Sequence, residues 1–162
     1  QATGLVRAQD LYGRSKYLGE ASGENSLTLR TCIIGRELQT SFGLVEWFLR
    51  NVNAHVQGYE KAIFTGLTTI ELARVIQAIM ETRPQLSGLY HVSSDPISKY
   101  ALLCLLRDSF SLSGEITPVE EPAIDRSLDS TRFRKEMNYS PPAWPEMIEE
   151  LAQDRTVYLS KH

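Results

Sequence analysis

Several residue classes are scarce in this sequence, and each scarcity removes a kind of function. There are only two cysteines, Cys32 and Cys104, and each sits inside an apolar run, so buried free thiols are expected rather than a disulfide framework. His55, His91 and His162 show no ligand spacing, and no metal site is expected. The formal net charge is -3 with no run of Lys and Arg, which argues against a nucleic-acid partner or a basic membrane patch. No apolar stretch approaches the roughly 18 residues of a membrane span, and the first residues lack the basic and apolar regions of a signal peptide. A cytoplasmic protein with no membrane partner is the expectation.

What is present describes an ordinary globular chain. Its 162 residues are 42% hydrophobic and 23% charged, enough for one domain or one lobe of a larger one. Short β-rich runs alternate with helical patterns, which predicts an α/β class. Asp10 is a plausible cap for a helix that carries Tyr12, Lys16 and Glu20 on one face and ends near Gly23, and Leu27 to Ile34 reads as one buried strand closed by Gly35. Phe42 to Asn53 has helical spacing of apolar residues, and Val56 to Phe64 reads as short extended segments. Thr68 or Thr69 caps a helix through Thr82, with Ile70, Ala73, Ile76, Ile79 and Met80 as its expected apolar stripe. Gly88 to Ser93 reads as a strand, and Ser98 caps an apolar helix from Lys99 to about Ser111. A short strand at Glu115 to Val119 and a polar run from Asp125 to Ser130 follow. Helices from Thr131 to Met137 and from Pro145 to Gln153 close the pattern.

The most chemically suggestive stretch is Tyr12-Gly13-Arg14-Ser15-Lys16. On a helix, positions four apart lie on one face, so the Tyr12 hydroxyl and Lys16 ammonium can serve one site. A free tyrosine, with a pKa of about 10, is a poor acid/base near neutrality. A nearby cation favours the phenolate and makes proton exchange with a carbonyl or alcohol oxygen feasible. An exposed helix with the same spacing by coincidence is the plainer reading of these residues taken alone.

Five segments in order carry a family resemblance. They are Tyr12-Gly13-Arg14-Ser15-Lys16-Tyr17-Leu18-Gly19-Glu20, Leu29-Arg30-Thr31-Cys32-Ile33-Ile34-Gly35, and Gly66-Leu67-Thr68-Thr69-Ile70-Glu71-Leu72-Ala73-Arg74-Val75-Ile76. Gly88-Leu89-Tyr90-His91-Val92-Ser93 and Arg126-Ser127-Leu128-Asp129-Ser130-Thr131-Arg132-Phe133 complete them. Together they resemble the C-terminal portion of an extended short-chain dehydrogenase/reductase of the sugar-nucleotide epimerase/dehydratase family.

That resemblance implies part of an NAD(P)-binding Rossmann-like fold with its substrate-binding lobe. The Gly-rich N-terminal βαβ half would be absent, leaving residues 1–162 as a single incomplete domain. It further implies an oxidoreductase or epimerase that reduces or epimerises a nucleotide-sugar using NAD or NADP. Tyr12 would be the acid/base, and Lys16 would lower its pKa while holding the nicotinamide ribose. Ile33, Ile34 and Gly35 would lie beside the nicotinamide, although turn chemistry explains Gly35 equally well. Arg126 would meet a phosphate or carboxylate of the substrate, with a surface ion pair to Asp125 or Asp129 as the alternative. Thr69 and Glu71 are expected to cap and charge a helix start. In that family the Gly-rich turn and a strand-end Ser or Thr lie upstream of the Tyr, and Gly4 and Gly13 have no such spacing. The alternatives are therefore a remnant that binds a nucleotide-sugar without redox chemistry, or a self-associating interaction protein. A homo-oligomer is expected, because strand Leu27 to Ile34 would otherwise present an unpaired edge.

Overall fold

The computed structural model describes residues 11–155 apart from 22, 39, 41 and 52–54, with the backbone but not the side chain of Tyr12. The expected caps and helix residues at Asp10, Val52 and Asn53 fall outside the described residues. The order opens with α1 (Leu11–Leu18), β1 (Leu27–Arg30), β2 (Ile33–Ile34) and α2 (Leu44–Asn51). It continues with β3 (Val56–Tyr59), β4 (Ala62–Phe64), β5 (Leu67–Thr68), α3 (Thr69–Thr82) and β6 (Gly88–His91). The remainder is β7 (Ile97–Ser98), α4 (Lys99–Ser109), β8 (Ile116–Val119), β9 (Ile124–Arg126), α5 (Thr131–Met137) and α6 (Trp144–Gln153).

The ladders are short and mostly parallel. β1 pairs with β6 from Leu27 opposite Gly88 to Arg30 opposite His91, and β2 pairs with β5. β3 pairs with β8, while β4 is flanked by antiparallel β7 and parallel β9. Parallel pairs need long crossovers, and the helices between the paired strands supply them. Three helix starts, those of α3, α4 and α6, have a local cause. The Glu71 N–H donates to Thr68 Oγ1 at 3.3 Å, the Ala101 N–H donates to Ser98 Oγ at 3.1 Å, and the Ala143 N–H donates to the Glu146 carboxylate at 3.2 Å.

Four expectations are corrected. The run Leu27 to Ile34 is two strands, because Thr31 and Cys32 turn the chain from partner β6 to partner β5. Phe42 precedes α2 and is 91% exposed, so it is not a core residue. Helix α3 turns Glu71, Val75 and Ile79 inward and leaves Ala73, Ile76 and Met80 exposed, since its contacts lie about one residue away from the predicted stripe. Asp125 and Arg126, read as the start of a polar run, belong to a strand, Ile124–Arg126, because β4 offers it a parallel edge.

The core centres on α4. Leu102, Leu103 and Leu106 are fully buried, packed with Met147, Ile148 and Leu151 of α6 and with Val45 and Phe48 of α2 in one cluster. Phe133 joins Tyr90 and Tyr139 by edge-to-face contacts at 6.0 and 5.7 Å. Above this cluster the Tyr139 hydroxyl donates to the buried Glu71 carboxylate at 2.8 Å, and Arg74 pairs with the same carboxylate at 3.5 Å.

Burial, reinforced by the Glu71 carboxylate, pushes the Tyr139 phenol far above the ordinary tyrosine value of 10.0. A raised folded-state pKa means the neutral phenol stabilises the fold below about pH 10, and that contribution is lost as pH rises past it. Denaturant titrations should therefore show stability falling above that pH. Tyr139→Phe should cost about 1–3 kcal/mol at neutral pH and flatten the alkaline fall; an unchanged alkaline slope in the variant would refute this assignment.

Candidate functional site

Two parts of the fold carry the candidate site. The first is α1, one helix that includes both position 12 and Lys16, one turn apart, with the Lys16 side chain exposed. The helix stops at Leu18, earlier than expected, and the Gly19 N–H turns back to the carbonyls of Ser15 and Lys16 at 3.2 Å each. Glyciné-weakened helix propensity at position 19 frees the next residue for a different task. The Glu20 carboxylate accepts both the Nε and Nη2 of Arg30, at 2.6 and 2.8 Å, and ties the end of α1 to β1. The Arg30 hydrogen bond holds the Glu20 carboxyl below the usual carboxylate range. Glu20 is thus a tether and does not share the helical face predicted for it.

The second part is a cavity of about 540 Å³ walled by Thr31, Cys32, Ile33 and Ile34 on one side and by Phe64, Ile124 and Arg126 on another. The wall exists because β2 and β5 pair beside the three-stranded β7-β4-β9 sheet. At the junction the Leu67 N–H donates to the Cys32 carbonyl at 2.9 Å, and Gly66 lies so close that a Cβ there would sit 2.8 Å from the same oxygen. The Leu128 N–H donates to Thr65 Oγ1 at 2.8 Å, which fixes the chain just after Arg126.

Ile33, Ile34 and Arg126 therefore share one cavity, as three of the predicted residues. Ile33 is 56% exposed and open to a ligand, whereas Ile34 is buried beneath it. Gly35 lies outside the cavity wall and has a packing reason for lacking a side chain, because a Cβ would meet Thr69 Cγ2 at 2.5 Å and Oγ1 at 2.6 Å. Thr68, not Thr69, caps α3, and Glu71 is spent on Tyr139 and Arg74. The expected ion pairs of Arg126 do not form among the described residues: the Asp125 carboxylate accepts the Ser127 N–H, and that of Asp129 accepts the Thr131 N–H.

Both cysteines are free, but Cys32 is exposed on the cavity wall rather than buried. Its partly desolvated position pushes the thiol pKa up, with Arg126 pulling the other way, so it is a weak nucleophile. Three residues of the site were not legible in the sequence. Lys99 lines the cavity, and its Nζ stands 5.3 Å from the Trp47 ring centroid and 5.1 Å from that of Tyr59. Burial lowers the Lys99 pKa. No local spacing links positions 47, 59 and 99; only tertiary contact does.

No protein-family model and no curated protein matches the sequence. Solved structures do match the fold. A dTDP-4-dehydrorhamnose reductase from Bacillus anthracis in complex with NADP superposes with a TM-score of 0.69 at 19% identity, over 86% of this chain and 54% of that one. The chain has the fold of the extended short-chain dehydrogenase/reductases. A hypothetical dTDP-4-dehydrorhamnose reductase from Sulfolobus tokodaii matches at 26% identity and TM-score 0.62, over 88% of this chain and 57% of that one. A UDP-N-acetylglucosamine 4-epimerase from Bacillus cereus matches at 15% and 0.59, over 78% and 45%. The chain thus spans about half the length of these extended short-chain dehydrogenase/reductase structures. Among the described residues, no helix is long and apolar enough to cross a membrane.

The Cys32–Gly66 approach yields a direct test. Gly66→Ala must displace backbone rather than a flexible side chain, so it should destabilise the fold by about 1–3 kcal/mol in denaturant titrations. A variant as stable as the parent would show that the junction yields without cost.

Proposed function

We propose that these residues form part of an NAD(P)-dependent oxidoreductase or epimerase acting on a nucleotide-sugar by 4-keto reduction or epimerisation. The observation that carries this reading is the mostly apolar cavity holding Ile33, Ile34 and Arg126 on a fold shared with sugar-nucleotide reductases and epimerases. Tyr12 is assigned as the acid/base and Lys16 as the cation that favours its phenolate. Their spacing on α1 supports this, since a helical turn brings i and i+4 side chains together.

The residues present suit the nicotinamide end of a dinucleotide. Lys16, exposed on α1, would meet a ribose hydroxyl and exposed Ile33 an apolar ring face, while no Gly-x-Gly-x-x-Gly turn for the pyrophosphate occurs in the sequence. When bound, the dinucleotide supplies or accepts hydride. Tyr12 would donate a proton to, or take one from, the sugar oxygen, and Lys16 would hold that proton exchange near neutral pH. Arg126 would anchor an anionic group with its planar fork, and the apolar wall of Ile33 and Ile124 would exclude water from the sugar. The tether from Glu20 to Arg30 would keep α1 at a constant distance from β1 while this happens.

In the full-length protein, turnover of a 4-keto nucleotide-sugar with NADPH should fall about 10²–10⁴-fold in Tyr12→Phe with ligand affinity retained. Turnover that is unchanged in this variant overturns the assignment.

A second reading has its own support. Among the described residues the β1 edge away from β6 has no strand partner, and Leu11 and Leu18 are 85% and 80% exposed. Such a surface suits a self-associating interaction protein. Light scattering of the 162-residue chain at micromolar concentration should then give at least twice the 18.3 kDa protomer mass; a strict monomer removes this reading.

A further inference from the structure

We propose that Ser93 is a positioning residue for ligand binding: together with Thr65, and without touching the ligand, it holds the chain that brings Arg126 and Leu128 to the cavity wall. The inference rests on the nucleotide-sugar reading above and deepens it, since it concerns how the wall of that same site is kept in place.

Leu128 lies after β9 and before α5, where no ladder or helix serves its backbone polar groups. Nearby residues meet that need locally: the Ser127 N–H donates to the Asp125 carboxylate and the Thr131 N–H to that of Asp129, each two residues back. Leu128 is instead held from far along the chain, and on both of its polar groups. Its N–H donates to Thr65 Oγ1 at 2.8 Å, and its carbonyl accepts the Ser93 hydroxyl at 3.1 Å. Thr65 directly follows β4 and Ser93 comes two residues after β6, and both are buried.

Counting protons gives this grip a direction. Ser93 has one hydroxyl proton and two oxygens within reach of it, the Leu128 carbonyl and Ser130 Oγ, the latter at 2.9 Å. Ser130 Oγ accepts the Arg134 Nε–H at 3.0 Å, and the Ser93 carbonyl, 3.3 Å from Ser130 Oγ, is already served by Arg134 Nη2 at 3.1 Å. The Ser130 proton therefore goes to Ser93 Oγ, which leaves the Ser93 proton for Leu128. A buried chain runs from the guanidinium through Ser130 and Ser93 to the Leu128 carbonyl, and each bond polarises the next.

The place of this chain gives it a function. Arg126 and Leu128 line the cavity of about 540 Å³, whereas Thr65, Ser93 and Ser130 border a second one of about 160 Å³, and Leu128 borders both. Ser93 and Thr65 do not reach the larger cavity, so they act on a ligand there only through the wall. That wall cannot shift without breaking a buried hydrogen bond and leaving a polar atom unsatisfied. A ligand that meets a wall already in place does not have to order it, and binds more tightly for that reason.

The test is calorimetric titration of the 162-residue chain with UDP-glucose and dTDP-glucose, with thermal unfolding of each variant alongside. Ser93→Ala and Thr65→Val should each weaken binding about tenfold, while Thr65→Ser, which keeps the hydroxyl, should stay within about twofold of the parent. Tyr139→Phe loses a buried hydroxyl outside the cavity wall and should bind like the parent; equal weakening there would reduce the effect to lost stability and overturn the proposal. In the unmodified protein without ligand, the Leu128 amide should exchange its hydrogen about a hundredfold more slowly than an open chain, a readout that needs no variant. Exchange at the open-chain rate overturns the proposal. If Ser93→Ala and Thr65→Val bind like a parent that does bind, the positioning role fails and the nucleotide-sugar reading stands. No binding of either nucleotide-sugar by the parent overturns that reading, and the proposal with it.

Discussion

The approach of Gly66 to the Cys32 carbonyl is the constraint on which the site depends. Two strands that would otherwise be a continuous run, β1 and β2, part at Thr31 and Cys32 because the chain changes partner there. The exchange works only where another backbone can come within hydrogen-bonding distance, and at position 66 glycine alone leaves that room. From this junction Thr65 reaches Leu128, and Leu67 opens the cap of α3. The cavity wall, the chain after Arg126 and the start of the longest helix are therefore set by one close contact.

The charges of the molecule divide into two populations. Among the described residues many acids and bases are spent on architecture: Glu20 with Arg30 ties α1 to β1, Glu71 with Tyr139 and Arg74 joins α3 to the segment before α6, and Arg74 reaches Glu150 on α6 itself. Arg134 serves in the same way, bonded to Ser130, to the Ser93 carbonyl and to Asp95. Lys99 and Arg126 stand apart because they face an apolar cavity without an acid on its wall. Lys99 is half-buried and Arg126 exposed, and charge that the fold does not neutralise marks places where a ligand can.

Much of the architecture was legible beforehand. Helix α5 follows its predicted limits, and α3, α4 and α6 begin within a residue of theirs, because Thr68, Ser98 and Pro145 act on the backbone within one turn. The inward face of α3 was misjudged, since Val75 rather than Ile76 meets the core and only packing partners decide between adjacent apolar residues. Glu20 was misplaced onto the helix because Arg30, ten residues on, captures it. Of the cavity, Ile33, Ile34 and Arg126 were marked by motif, whereas Lys99 with Trp47 and Tyr59 had no local signal.

The sequence by itself determined the α/β class, the starts of α3 to α6 and the Tyr12 and Lys16 spacing, because these follow from interactions within a few residues of each other. Tertiary structure alone decided that Leu27 to Ile34 breaks into two strands, that Ile124–Arg126 becomes a strand, and that Lys99 and Arg126 line one cavity. The physical reason is range. Hydrogen-bond ladders and unneutralised charges acquire their meaning from partners dozens of residues away, and no local pattern encodes which partner arrives.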